Sequence, residues 1–251
     1  TIVDHRTYAL VSDGDLMEGV SGEAASLAGH LKLGKLTYLY DANDVSLDGP
    51  TSLAYSEDWG RRYEAYGWRV LRVEDGNRDL AAIDAALAAA RADDSRPTLI
   101  VVRTTIGFGS PNKAGKSSSH GSPLGAEEVE RTKQALGWDP KAKFHVPAEA
   151  LARFRQARDR GRAAREEWNR RRTAWAREFP DLARDWDRLV AGELPAGWDS
   201  GLAAFKAGEG MATRDAGGKA CLLRGIARKS QVLGQPPHPI PRLHALAQLL
   251  P

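Results

Sequence analysis

Val11-Ser12-Asp13-Gly14-Asp15-Leu16-Met17-Glu18-Gly19 is answered further along the chain by Tyr40-Asp41-Ala42-Asn43-Asp44-Val45-Ser46-Leu47-Asp48-Gly49. In each stretch an apolar run ends in a carboxylate or carboxamide. Tyr8 to Val11 leads into Asp13-Gly14, and Leu36, Tyr38, Leu39 and Tyr40 lead into Asp41 and Asn43. Such runs predict two parallel strands that deliver oxygen ligands to one edge of an open sheet, the edge at which α/β sheets bind ligands. Mg2+ takes oxygen ligands at about 2.0–2.1 Å in near-octahedral geometry and commonly bridges a carboxylate to phosphate oxygens. Asp13, the Asn43 amide oxygen and a backbone carbonyl near Val45 suit that demand.

Outward from this pair the pattern keeps alternating. Glu18 to Leu33 is rich in Ala, Leu, Ser and Gly and places Val20, Ala24, Leu27 and Leu31 at helical spacing; its small residues let a helix pack close to the sheet. Ser56 to Tyr66 reads as a short helix, Trp68 to Val73 as an alternating strand, Asp79 to Ala92 as a helix with Leu80, Ile83 and Leu87 on one face, and Thr98 to Val102 as an apolar strand. Strand–helix alternation predicts an α/β fold with a parallel sheet covered on both faces. Thr104 to Gly125 breaks the pattern with glycines, serines and prolines and carries His120; a loop of that length inside a domain is either functional or disordered. Ala126 to Leu136 reads as a helix. After Pro147 a long arginine- and alanine-rich helix to about Glu178 shows Leu151, Phe154, Ala157, Ala164, Trp168 and Trp175 as an apolar stripe, and Pro180 opens another helix to about Val190.

Residues 12–19 and 41–49 together resemble the thiamine-diphosphate signature, Gly-Asp-Gly followed after a helix by Asn, in the form found in transketolases. The match extends through Glu23 to His30, Leu33 to Leu36, Tyr63-Glu64-Ala65-Tyr66-Gly67-Trp68, Thr105 to Gly115, and Ser119-His120-Gly121-Ser122-Pro123-Leu124-Gly125. It weakens after Gly137 and stops near Gly218. The resemblance implies a partial doubly wound parallel sheet, the thiamine-diphosphate-binding fold, over 1–145. A helical connector at 146–216 and a divergent, disordered tail at 217–251 follow, the tail carrying four prolines in one short window. It further implies transfer of a two-carbon ketol unit from a ketose phosphate to an aldose phosphate, with thiamine diphosphate and Mg2+ (or Ca2+) as cofactors.

On the same resemblance Asp13, Asn43 and the Val45 carbonyl bind the metal; Asp13, Gly14, Asn43 and His120 contact the cofactor; His120 and Glu18 are catalytic. For Glu18, an ordinary acidic residue in a first helical turn, favoured by the helix dipole, is an equal alternative. Two positions depart from the commonest family pattern: Ser12 replaces the first glycine, and Asp44 adds a negative charge beside the metal. The implied partners are sugar-phosphate substrates and a second subunit, a homodimer in the full-length family or another chain supplying the pyrimidine-binding domain. The sequence opens at Thr1, in the middle of the family's pyrophosphate-binding domain, and reads as a fragment. A subunit of a split enzyme, a truncated inactive product, and another thiamine enzyme such as dihydroxyacetone synthase are the alternatives; the Ile106 to Lys113 block is closer to transketolase.

At 251 residues and 42% hydrophobic content the chain can bury a sizeable core. The net charge of +3 and pI near 9.0 come mainly from arginines in the C-terminal half, interspersed with Asp and Glu as on a solvated helix face. No nucleic-acid recognition motif accompanies them, so no nucleic-acid partner is expected. A single cysteine, Cys221, excludes an internal disulfide, and neither a signal peptide nor an apolar run of membrane-spanning length is visible; the expected compartment is the cytoplasm.

Overall fold

The computed structural model describes residues 2–199, 205 and 210–217. The chain divides into two units, His5–Pro147 and Thr1–Asp4 with Ala148–Pro251. In the first, β1 (Thr7–Ser12), β2 (Leu36–Ala42), β3 (Arg69–Val73) and β4 (Thr98–Arg103) form one wholly parallel sheet in the order β1-β2-β4-β3. Around it lie α1 (Asp13–Met17), α2 (Gly19–His30), α3 (Trp59–Ala65), α4 (Leu80–Arg91) and α5 (Ala126–Ala135). β4 is apolar from Leu99 to Val102 because both its faces are covered, the setting in which a parallel strand loses polar–apolar alternation. Leu99 and Val101 enter one core with Tyr40, Tyr63, Trp68 and, from α2, Ala25 and Ala28. Ile100 and Val102 enter the other with Val73 and with Ala86 and Ala90 of α4. Helices on both faces of a parallel sheet make this the α/β arrangement that the alternation predicts.

The extent of the first helix is corrected. The chain makes two helices where one was expected, broken at Glu18, whose ψ of 131° is extended. The first begins at Asp13 itself, and Ser12 caps it by donating both its backbone N–H (2.7 Å) and its hydroxyl (2.8 Å) to Asp15 Oδ2. The serine that replaces the family glycine thus has a structural use. The second helix turns alanines inward and leaves Val20 and Leu27 70% and 57% exposed. Close approach is the reason: a Cβ on Gly29 would lie 1.8 Å from the Tyr66 carbonyl oxygen, and Trp68 Nε1 donates to the Ala25 carbonyl at 2.8 Å. No large side chain fits that seam.

In the second unit, α6 (Ala148–Glu178) and α7 (Pro180–Val190) pair through a buried Ala183, an ion pair from Arg172 to Asp187, and the Trp175 and Phe179 rings 6.5 Å apart. Trp168 Nε1 donates to the Ile2 carbonyl at 2.6 Å. The expected apolar stripe of α6 is not buried: no residue of this helix is, and Phe154 stands 78% exposed. Arginine–glutamate pairs at helical spacing, Arg170 and Arg171 with Glu167, support its solvated face. No described helix is long and apolar enough to cross a membrane. The tail from Gly218, with Cys221 and the prolines, lies outside the described residues.

Candidate functional site

β1 and β2 pair in register from Thr7↔Leu36 to Ser12↔Asp41, so Asp13-Gly14 and Asn43 leave the sheet side by side at its C-terminal edge. Asp13 is 1% exposed. Its Oδ1 accepts hydrogen bonds from the hydroxyls of both Tyr40 and Tyr55, whereas Oδ2 is buried without a hydrogen-bond partner. Burial, and then the bond to Asp13, push both phenols above their usual range, so they remain donors. A buried carboxylate oxygen lacking a donor carries a desolvation cost that a hard cation would relieve. Gly14 follows on the exposed first turn of α1.

Asn43 lies just past β2. Its amide Nδ2 donates to Asp41 Oδ2 at 3.0 Å and its Oδ1 accepts the Val45 N–H at 3.0 Å, which orients the carboxamide and leaves one lone pair on the oxygen. Val45 and Pro50 form an isolated antiparallel bridge whose hydrogen bonds come from its neighbours, Ser46 N–H to the Gly49 carbonyl and Thr51 N–H to the Asp44 carbonyl. The Val45 carbonyl therefore stays out of that ladder. Among the described residues no three His, Cys, Asp or Glu side chains gather at one point, so a cation here would rest on one carboxylate and neutral oxygens.

The charge that Asp44 brings is neutralised by a residue the sequence reading missed. Arg103, the last residue of β4, lies opposite Ala42 in the register and grips Asp44 through two hydrogen bonds, Nη1–Oδ1 at 3.0 Å and Nη2–Oδ2 at 2.6 Å. That grip holds the Asp44 carboxyl below its ordinary value. Asp44 also has φ of +61°, a left-handed conformation that aspartate tolerates and β-branched residues do not. Asp44→Val is accordingly expected to destabilise the chain by about 1–2 kcal/mol more than Asp44→Gly, since both lose the arginine and only one is strained; urea denaturation of the two variants reads the difference.

His120 is exposed and closes a short 3-10 turn at Ser117–Ser119. The next residue, Gly121, sits against the Leu47 side chain of the turn after Asn43, with an added Cβ 3.4 Å from Leu47 Cδ1. The histidine loop thus meets the Asn43 loop. Glu18 does not share this setting: it is exposed at the break between α1 and α2, with no side-chain capping bond. A second residue missed in the sequence is Glu128, whose carboxylate accepts from the Ser110 hydroxyl and from the Asn112 N–H and Nδ2, the last two at 2.8 Å each. Those donors hold it at about 2, below the ordinary 4.5. Because the folded value is depressed, the stabilisation is complete above the ordinary value and is lost as pH falls from 4.5 towards about 2.

The sequence profile described as "Transketolase, thiamine diphosphate binding domain" matches residues 1–195. The transketolase of Halalkalibacterium halodurans is 52% identical over 219 residues, covering 87% of this chain and 33% of that protein. Transketolase from Leishmania mexicana superposes with a TM-score of 0.77 at 40% identity, over 88% of this chain and 33% of that one. A Pichia stipitis transketolase in complex with sedoheptulose 7-phosphate superposes with a TM-score of 0.75 at 39% identity, over 87% and 32%. The chain spans about a third of the length of the relatives it matches. With a parallel sheet whose first two strands end in Asp13-Gly14 and Asn43, and with this likeness over most of its length, the chain belongs to the transketolase family and carries its thiamine diphosphate binding domain.

Proposed function

We propose that this chain serves ketol transfer between sugar phosphates by holding the diphosphate end of thiamine diphosphate through a divalent cation, Mg2+ or Ca2+. The observation that carries the reading is the buried, unpartnered Oδ2 of Asp13 at the sheet edge where Asn43 also emerges. Asp13, the Asn43 carboxamide oxygen and the Val45 carbonyl are the cation's ligands, and Gly14 lets the diphosphate approach the backbone. Tyr40 and Tyr55 fix the Asp13 carboxylate through its other oxygen. Arg103 cancels the charge of Asp44, and Asp13 is the one carboxylate among the cation's ligands. His120 donates to the diphosphate or the substrate. When bound, thiamine diphosphate supplies the carbon nucleophile and electron sink with which a carbon–carbon bond of a ketose is broken. Glu18, exposed beside α2, lies at the contact with a second subunit, either another copy or a chain bringing the pyrimidine-binding domain. The soluble compartment of sugar-phosphate chemistry, the cytoplasm, is the proposed location.

A chimera tests this reading: residues 1–195 replace the matching segment of the Halalkalibacterium halodurans relative, and turnover of xylulose 5-phosphate with ribose 5-phosphate is followed in a coupled assay. The expected results are turnover by the chimera, none by the isolated 251-residue chain, and weak thiamine diphosphate binding by that chain in calorimetry, because a cofactor gripped only by its diphosphate lacks ring burial. A folded chimera that binds thiamine diphosphate yet never turns over would sink the proposal and favour an inactive product.

A further inference from the structure

His120 stands on the long irregular segment between β4 and α5, and several hydrogen bonds of that segment converge on one side chain outside it. Ser110 is 3% exposed and its hydroxyl both donates to Glu128 and accepts the Lys113 N–H at 3.1 Å. Asn112 gives Glu128 its backbone N–H and its Nδ2. From this turn two bonds leave for the flanks of His120: the Lys113 carbonyl accepts the Ser119 hydroxyl at 2.6 Å, and Lys113 Nζ donates to the Pro123 carbonyl at 3.2 Å. The Lys116 Nζ bond to the Asn112 carbonyl (2.7 Å) and the Gly115 N–H bond to the Ile106 carbonyl (2.8 Å) tighten the same turn. Gly107, with φ of +64°, lets Ser119 come in close, since an added Cβ would lie 3.0 Å from its hydroxyl.

We infer that Glu128 is the positioning residue for His120: its carboxylate fixes the Ser110–Lys113 turn, and Lys113 passes that constraint to Ser119 and Pro123 on either side of the histidine. The first turn of α5 is the rigid anchor, because Glu128 sits at its third position with the helix behind it. A glutamate there ordinarily reaches back to the helix's own first residues; this one reaches a segment 16 and 18 residues earlier instead. What holds the loop is the set of acceptors. Oε1 serves the Ser110 hydroxyl and the Asn112 N–H, and Oε2 serves an amide that can turn over. Glutamine can therefore replace glutamate if the Asn112 carboxamide flips, whereas alanine cannot.

The inference rests on the reading that His120 serves the diphosphate site, and the experiment separates the two. In the full chain without ligand, amide hydrogen exchange at Lys113, Gly115 and Ser119 and the His120 ring resonances are compared among wild type, Glu128→Ala, Glu128→Gln and Ser110→Ala. Glu128→Ala is expected to speed exchange at these amides by at least about tenfold and to shift the ring resonances, because charge-assisted bonds are lost. Ser110→Ala, which also removes the acceptor of the Lys113 N–H, should speed exchange at Lys113 as much but at Gly115 and Ser119 less, and Glu128→Gln should restore wild-type behaviour to within about threefold. Unchanged His120 resonances in a folded Glu128→Ala chain, or a Glu128→Gln chain that exchanges as fast as the alanine variant, would overturn the inference. Thiamine diphosphate affinity of a His120→Ala chain, measured separately, addresses only the role of the histidine.

Discussion

Asp13→Ala is expected to abolish the rise in melting temperature that Mg2+ with thiamine diphosphate gives the wild-type chain. A ligand that binds only the folded state stabilises it by RT ln(1 + [L]/Kd), about 2.7 kcal/mol at a hundredfold excess over Kd. Asp13 offers the one charged ligand at the proposed cation site, and without it the carboxamide of Asn43 and the carbonyl of Val45 leave two neutral oxygens, too few and too weak for a hard cation. Without Mg2+ the two chains differ only by what the Asp13 side chain itself contributes to the fold. The variant takes the Asp13 acceptor from the Tyr40 and Tyr55 hydroxyls, which lie 3.4 Å from each other and can still pair, and it also removes a buried carboxylate oxygen that has no partner. Thermal melts with and without Mg2+ and cofactor separate the two effects. A variant whose melting temperature still climbs with Mg2+ as far as wild type would remove Asp13 from the site.

Gly29→Ala is expected to cost about 3 kcal/mol or more, the upper end of what overpacking does. The added methyl would sit 1.8 Å from the Tyr66 carbonyl oxygen and 2.9 Å from its carbon, both backbone atoms of the turn that sets Trp68 into the core. Neither can swing aside. Relief requires α2 to lift from the sheet, which parts Ala25 from the Trp68 indole that donates to it. Two other glycines of the same helix supply the controls. At Gly22 the nearest atom is the guanidinium end of Arg62, 3.1 Å away and flexible; at Gly19 nothing lies within 4 Å. Alanine at Gly22 should be close to neutral, and at Gly19 stabilising by up to about 1 kcal/mol through the glycine's lost backbone entropy. Urea denaturation of the three variants gives the ranking, and equal midpoints for Gly29→Ala and Gly19→Ala would refute the close-packing account.

The strands were legible because each is an apolar run bounded by turn residues, and β4 stood out as apolar on both faces. The convergence of Asp13 and Asn43 at one edge followed from two such runs ending alike. The close packing of α2 was legible in its small residues, but not which of them face inward: periodicity marked Val20 and Leu27, whereas Ala25 and Ala28 are the buried ones, and the spacing between elements that selects them has no signature in a single stretch of sequence. Arg103 was missed because its partner Asp44 lies 59 residues away and an arginine at a strand end looks like any exposed cation. Glu128 was missed for a related reason, since an acidic residue in a first helical turn satisfies the dipole rule and invites no further question. In α6 the aromatic stripe matched a helical period, yet its solvated arginines and glutamates describe what most of that helix meets.

The strand order β1-β2-β4-β3 also dictates when the sheet can form as the chain emerges during synthesis. β3 has one hydrogen-bonded neighbour, β4, and β4 is also the second neighbour of β2. Among the described strands, β1 and β2 have only each other to pair with until Thr98–Arg103 has been made, and β3 has none. Arrival of β4 closes two ladders at once and delivers Leu99 and Val101 to one core and Ile100 and Val102 to the other. Among the described strands β4 is thus the link between β2 and β3, and the same six residues that make this link bring Arg103 to Asp44, so the joining of the two halves of the sheet and the charge balance of the Asn43 turn depend on one strand.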